Sequence, residues 1–180
     1  EKDIFNDLFS FYYACKYDNP YIVKYIIEHS KKFNINSLIN DSNKKQTGLS
    51  AAISEGNREV VKILLSQQDI DVLIKSKLCY KNEDSNFDPR IEYQIEKSPL
   101  HEAVEKGDIE MVKLLLSNPK IDVNDQLEYH DNGMYGSYHI EKTALNIAIE
   151  KGNSKIVEFL LSHPDIDVNK ISRHNDGSYG

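Results

Sequence analysis

The chain has 180 residues, of which 28% are charged and 39% hydrophobic, and it carries a formal net charge of −7. That balance fits a folded soluble chain and excludes a disordered one. The acidic sign argues against a nucleic-acid-binding face, which needs clustered positive charge. The apolar runs are a few residues long, far short of the ~20 that span a bilayer.

The elements, taken in chain order, repeat themselves. A helical pattern opens with Phe9-Ser10-Phe11-Tyr12-Tyr13-Ala14 and its companion closes at Ile26-Ile27. Thr47-Gly48-Leu49-Ser50-Ala51-Ala52 through Leu64-Leu65 restates it, as do Ser98-Pro99-Leu100-His101-Glu102-Ala103 through Leu116 and Thr143-Ala144-Leu145-Asn146-Ile147-Ala148 through Leu160-Leu161. Recurrence at a period of a few tens of residues is the signature of a solenoid. Ala52 to Leu65, Ala103 to Leu116 and Ala148 to Leu161 are equally long, so the variation in unit length falls between the helix pairs. Extra residues there lie on one face of the stack.

The third copy shows the physics of one unit. Ser98 suits the N-cap, and Pro99 suits the first helical position, where its missing N–H costs nothing. Leu100, Ala103 and Val104 share one apolar face, Gly107 ends the helix, and Asp108 caps the next. Ile109, Met111, Val112, Leu114, Leu115 and Leu116 make the second helix apolar on several sides, and Asn118-Pro119 stops it. The small alanine of each first helix (Ala14, Ala52, Ala103, Ala148) lets successive pairs approach closely. After each second helix, Gln68 to Val72, Lys120 to Asn124 and Asp165 to Asn169 alternate β-branched and polar residues, which reads as a short strand entering a hairpin. Turn clusters at Asn82-Glu83-Asp84-Ser85-Asn86 and Asp131-Asn132-Gly133 sit mid-way along the long connections, so these read as extended β-hairpin fingers.

Cys15 and Cys79 stand far apart. Neither suggests a disulfide framework, and Cys15 reads as a reduced, buried thiol, so a cytoplasmic location is expected. The chain opens at Glu1 without methionine, and His174-Asn175-Asp176-Gly177-Ser178-Tyr179-Gly180 restates His130-Asp131-Asn132-Gly133-Met134-Tyr135-Gly136. A fifth finger therefore begins, and a longer parent protein is expected.

These residues resemble the ankyrin repeat. Its Thr-Pro-Leu-His-x-Ala opening is nearly matched by Ser98 to Ala103, and in part by Thr47 to Ala52 and Thr143 to Ala148. Its Gly-led second-helix core is similar to Gly56 to Leu65, Gly107 to Leu116 and Gly152 to Leu161. Its closing Asp-Val-Asn is similar to Asp122-Val123-Asn124 and Asp167-Val168-Asn169. The first copy departs, with Asp18 in place of Gly and Phe11-Tyr12 in place of Leu-His, as in a terminal capping unit. The units also exceed the usual ~33-residue period.

The resemblance implies an all-α repeat solenoid of stacked helix-turn-helix units with long β-hairpin connections. The units fall at about 1–40, 41–85, 86–131 and 132–169, with 170–180 opening the next finger. It also implies a non-enzymatic protein–protein interaction scaffold without a cofactor. The alternative is a regulatory or spacer segment of a larger enzyme or channel, acting intramolecularly or by self-association through the uncapped C-terminal repeat.

Candidate chemistry within the chain is thin. His101 to Glu105 begins like a zinc-protease helix, but Glu105 stands where the second histidine belongs, so His101 reads as the repeat-motif residue tying loop to helix. Asp84, Asn86 and Asp88 have calcium-loop spacing, but Pro89 replaces the sharp-turn Gly, and an exposed polar turn is expected. His130 and His139 can meet across one hairpin, with Asp131 nearby, as a weak surface metal site at best. The finger aromatics Tyr80, Phe87, Tyr93, Tyr129, Tyr135 and Tyr138 carry a better signal, because large rings with polar tips suit interfaces. Cross-strand packing is the alternative for each of them. Tyr13, Glu102, Glu105 and Glu150 are expected to face the concave groove, where acidic groups would suit a partner protein with a basic segment. A solvated helix face with Glu102–Lys106 pairing is the competing expectation.

Overall fold

The structure is a computed structural model describing residues 2–30, 33–81, 92–131, 138–170 and 174–175. Side chains are described for these except at 2–6, 80–81, 92–93, 130–131, 138–139 and 174–175. Among the described residues, four helix pairs stack along the chain. They are α1 (Lys2–Lys16) with α2 (Pro20–His29), α3 (Gly48–Glu55) with α4 (Arg58–Leu65), α5 (Pro99–Lys106) with α6 (Ile109–Leu116), and α7 (Ala144–Glu150) with α8 (Ser154–Leu161). The inner helices α1, α3, α5 and α7 pack in one row, while α2 packs on α4 and α6 on α8.

Local chemistry sets these boundaries. Thr47 Oγ1 accepts from the Ser50 N–H at 3.1 Å, Thr143 Oγ1 from the Asn146 N–H at 3.2 Å, and Asp108 Oδ1 from the Met111 N–H at 3.0 Å. Each satisfies a donor that the first helical turn leaves open. Gly107 ends α5 at φ +71°, and Asp18, which replaces glycine in the first copy, takes the same left-handed backbone at φ +53°. Aspartate is among the few side chains that tolerate it.

Close approach explains the small residues. Ala52, Ala103 and Ala148 are fully buried. A Cβ added at Gly48 would lie 2.8 Å from Phe11 Cε1 and 3.1 Å from Cys15 Sγ, so α3 sits against α1 through glycine. One continuous apolar cluster runs from Phe11 through Leu64, Val104 and Met111 to Leu160. Stability is therefore shared between neighbouring pairs.

The connections are ordered β structure. β1 (Ile39–Asp41), β2 (Lys44–Gln46), β3 (Ser76–Lys81), β4 (Glu92–Lys97), β5 (Gln126–Asp131), β6 (Tyr138–Thr143) and β7 (His174–Asn175) form a 7-stranded antiparallel sheet in chain order. The fingers thus hydrogen-bond to one another as well as within each hairpin, and the expectation of an all-α chain gives way to helix pairs carrying a continuous sheet. β1–β2, β3–β4 and β5–β6 are three hairpins, so among the described residues β7 opens the fourth finger rather than the expected fifth.

The expected strands at Gln68 to Val72, Lys120 to Asn124 and Asp165 to Asn169 are turns instead. Asp71, Asp122 and Asp167 each turn back, their Oδ1 accepting from the N–H two residues on at 2.8–2.9 Å. That local bond competes with strand pairing. The alternating Ile70 and Val72 are buried because the turn plugs the core.

The turns are also riveted to one another. Asn36 Nδ2 donates to the Asp69 carbonyl at 2.7 Å while its Oδ1 accepts from the Asp71 N–H at 2.8 Å. Asn124 repeats both bonds with Asp165 and Asp167. Leu73 holds the equivalent place at the middle seam and is 58% exposed, and beside it opens a hollow of about 290 Å³. Asn124→Ala is expected to lower stability by about 1 kcal/mol, and Leu73→Asn, which restores the missing rivet, to raise it by a similar amount. Urea midpoints measure both, and a Leu73→Asn protein no more stable than its parent would refute the rivet.

Candidate partner-binding surface

Each inner helix ends beside a finger base, and a polar pair joins them. Lys16 meets Asp41 at 2.5 Å, Lys44 donates to Ser54 Oγ at 2.6 Å, Lys97 meets Glu105 at 2.6 Å, and Lys142 meets Glu150 at 2.7 Å. The residue two past the small alanine makes this tie in every copy. The Lys16 ammonium and the Tyr12 hydroxyl hold the Asp41 carboxyl below its usual range, while burial pushes the Tyr12 phenol up.

Two hollows lie between the inner helices and the finger strands. The first, about 330 Å³, is bordered by Lys44, Ser54, Leu78 and Glu102, with Lys106 on its rim. The second, about 260 Å³, is walled by Ile95, Leu127, Tyr129, Ile140 and Ile147. Lys97, Glu105 and Lys151 border both, so the hollows adjoin.

The structure redistributes the expected groove residues. Glu102 is not a free groove carboxylate, nor does it pair with Lys106. It is 5% exposed, accepting from Ser54 Oγ at 2.6 Å, from Ser76 Oγ, and from Lys44 Nζ at 3.1 Å. The position before the small alanine faces the preceding helix pair and its finger, which cover it. Glu105 and Glu150 border the groove as expected, but each is held by the lysine named above. The acidic groove expected to attract a basic segment is thereby neutralised from within.

Tyr13 occupies the position of Glu102 in the first copy and points away from the groove. α1 turns Phe11 and Cys15 towards α3, so Tyr13 projects from the opposite side. It is 42% exposed, stacks on Tyr17 at 6.0 Å and meets Tyr12 edge-on at 5.3 Å.

Among the finger aromatics, Tyr129 is half-buried, packs on the core and faces Ile95 and Ile140 across the sheet. It forms groove wall rather than finger tip. The backbones of Tyr80 and Tyr93 are directly paired, as are those of Tyr138 and Asp131 and of His130 and His139. The side chains of Tyr80, Tyr93, Tyr138, His130 and His139 lie outside the description, as do Phe87, Tyr135 and the calcium-like turn from Asp84 to Asp88 entirely.

Sequence reasoning passed over the rest of the end face. Tyr17, Tyr21 and Tyr25 are more than half exposed and Phe9 nearly so. Tyr21 and Tyr25 leave α2 opposite its buried Val23 and Ile26. The signal was legible: tyrosines at 13, 17, 21 and 25 recur every fourth position, one helical face at a time.

The family model described as ankyrin repeats (3 copies) matches residues 2–76 and again 76–172. The chain belongs to the ankyrin-repeat family. No curated protein matches it beyond that. In this ankyrin array the motif histidine His101 does what the sequence expected of it. The Ser98 N–H donates to its Nδ1 at 3.3 Å, and its Nε2 faces the Lys142 carbonyl at 3.2 Å, so it ties its own helix start to the next finger. Ankyrin repeats are in general protein–protein interaction modules. No helix among the described residues is long and apolar enough to cross a membrane.

Proposed function

We propose that this ankyrin array is a non-catalytic scaffold that binds a partner protein across its concave groove, with the finger tips adding contacts. One observation carries the reading. The inner helices α3, α5 and α7 and the finger strands border two adjoining, partly apolar hollows that form a trough, and its walls are held by polar pairs at the finger bases. A rigid trough of this kind loses little entropy on binding. Free Cys15 and Cys79 fit a reducing, cytoplasmic setting, and burial pushes the Cys15 thiol up.

A second reading, a spacer acting intramolecularly or by self-association, draws on the last helix pair. Ile149 and Val168 are 57% and 59% exposed, whereas their counterparts Val104 and Val123 are buried. Two measurements separate the readings. Affinity capture by the array should retain a partner that Ile140→Arg, in the groove wall, or a variant with Tyr80, Phe87, Tyr135 and Tyr138 changed to Ser, releases. Sedimentation that shows concentration-dependent association, abolished by Val168→Lys and unaffected by Ile140→Arg, would instead establish the second.

A further inference from the structure

We infer that the groove over α5 and α7 seats an extended, acidic segment of the partner protein, anchored on Lys106 and Lys151. The inference rests on the interaction reading above and specifies its occupant. The chain as a whole carries −7, yet its groove does not share that sign. Three of the four carboxylates that border the trough already hold a cation: Glu102 has Lys44, Glu105 has Lys97, and Glu150 has Lys142. The fourth, Glu55, is exposed on the rim of the larger hollow at its α3 end, within the field of Lys16.

Two cations remain over. Lys106 and Lys151 both border the larger hollow, both are exposed, and neither makes a hydrogen bond or ion pair among the described residues. They are the same residue of successive repeats, three past the small alanine. Lysine at a helix C-terminus interacts with the helix dipole, but that is worth only about 0.3–1 kcal/mol and leaves the charge solvated and available.

The geometry suits an extended chain. Neighbouring helices lie about 8–10 Å apart, and an extended segment covers that in about three residues at ~3.3 Å each. Carboxylates spaced three apart therefore reach both lysines. Intervening apolar side chains would meet Ile95, Ile140 and Ile147 on the wall of the second hollow. A basic segment over α5 and α7 meets the opposite situation, two unpaired lysines and the carboxylates of those helices already engaged, and like charges across an interface exclude partners effectively.

The test uses fluorescence anisotropy with a labelled peptide of repeating Glu-Pro-Leu triplets and its Lys-Pro-Leu counterpart. The acidic peptide should bind about tenfold tighter than the basic one, and more weakly as salt is added. Lys106→Glu with Lys151→Glu should weaken it about tenfold. Lys24→Glu, on α2 away from the groove, should leave it unchanged. Tighter binding of the basic peptide, equal binding by the double variant, or no binding of the acidic peptide overturns the inference. The affinity capture above separates the two levels. A partner retained by both parent and double-lysine variant leaves the scaffold reading standing without the acidic occupant, and a parent that captures nothing removes both.

Discussion

Glu102→Ala will cost this array about 3–5 kcal/mol, more than the loss of an ordinary surface carboxylate. The side chain is 5% exposed and accepts from two hydroxyls and the Lys44 ammonium, itself only 19% exposed. Removing the carboxylate leaves a largely buried cation without its counter-charge, held among the described residues only by Ser54 Oγ, and leaves the fully buried Ser76 with only the long 3.3 Å bond to the Lys97 carbonyl. Uncompensated burial, rather than the attraction lost, sets the size of the effect. A double variant that also carries Lys44→Met should recover much of it, because the remaining groups are then neutral.

The position of the cluster sharpens that expectation. Ser54 belongs to α3, Lys44 and Ser76 to two different fingers, and Glu102 to α5, so one carboxylate joins two helix pairs. In a linear array, weakening one interface lets the parts on either side unfold separately. Urea unfolding should pass from one transition in the parent to two in Glu102→Ala. A variant within about 0.5 kcal/mol of the parent, the range of ordinary surface substitutions, would mean that the carboxylate is solvated after all.

Much of the fold was legible because each repeat states it redundantly. Thr47, Ser98 and Thr143 announce the inner helices, the alanines mark the tight seam, and Gly56 and Gly107 mark the stops. Long-range pairing was harder to see. That the fingers join into one sheet depends on register between hairpins many residues apart, which no local pattern encodes. The Asp-Ile-Asp-Val segments misled because burial of Ile70 and Val72 produces the same alternation in a turn as in a strand.

The candidate site was legible in part. Glu102 looked exposed when judged by charge, yet repeat against repeat it aligns with Ala51 and Ile147, both buried. The chain itself thus contained the correction. The lysines that neutralise Glu105 and Glu150 come from strand ends eight residues upstream, beyond the helix spacing that guides sequence reading. Lys106 and Lys151 stood out only once those pairs were subtracted.

His101 makes the array sensitive to mild acid. Burial pushes its pKa down to about 4, outweighing the pull of Asp125, whose Oδ2 lies 3.8 Å from Nδ1, and Lys75 adds to the depression. The native ring is neutral, with Nδ1 accepting from Ser98 and Nε2–H donating to the Lys142 carbonyl. The unfolded chain therefore takes up a proton near pH 6.5 that the folded chain refuses until about pH 4. Stability from this residue is complete above pH 6.5 and is lost as pH falls through that window, by about 3 kcal/mol. His101→Asn supplies the control, since Asn146 makes the same cap in the fourth repeat, its Oδ1 accepting from the Thr143 N–H at 3.0 Å. Urea midpoints from pH 7 to pH 4 should fall steeply for the parent and much less for His101→Asn. Parallel slopes would mean that the folded chain protonates His101 as readily as the unfolded one, and would refute its depressed pKa.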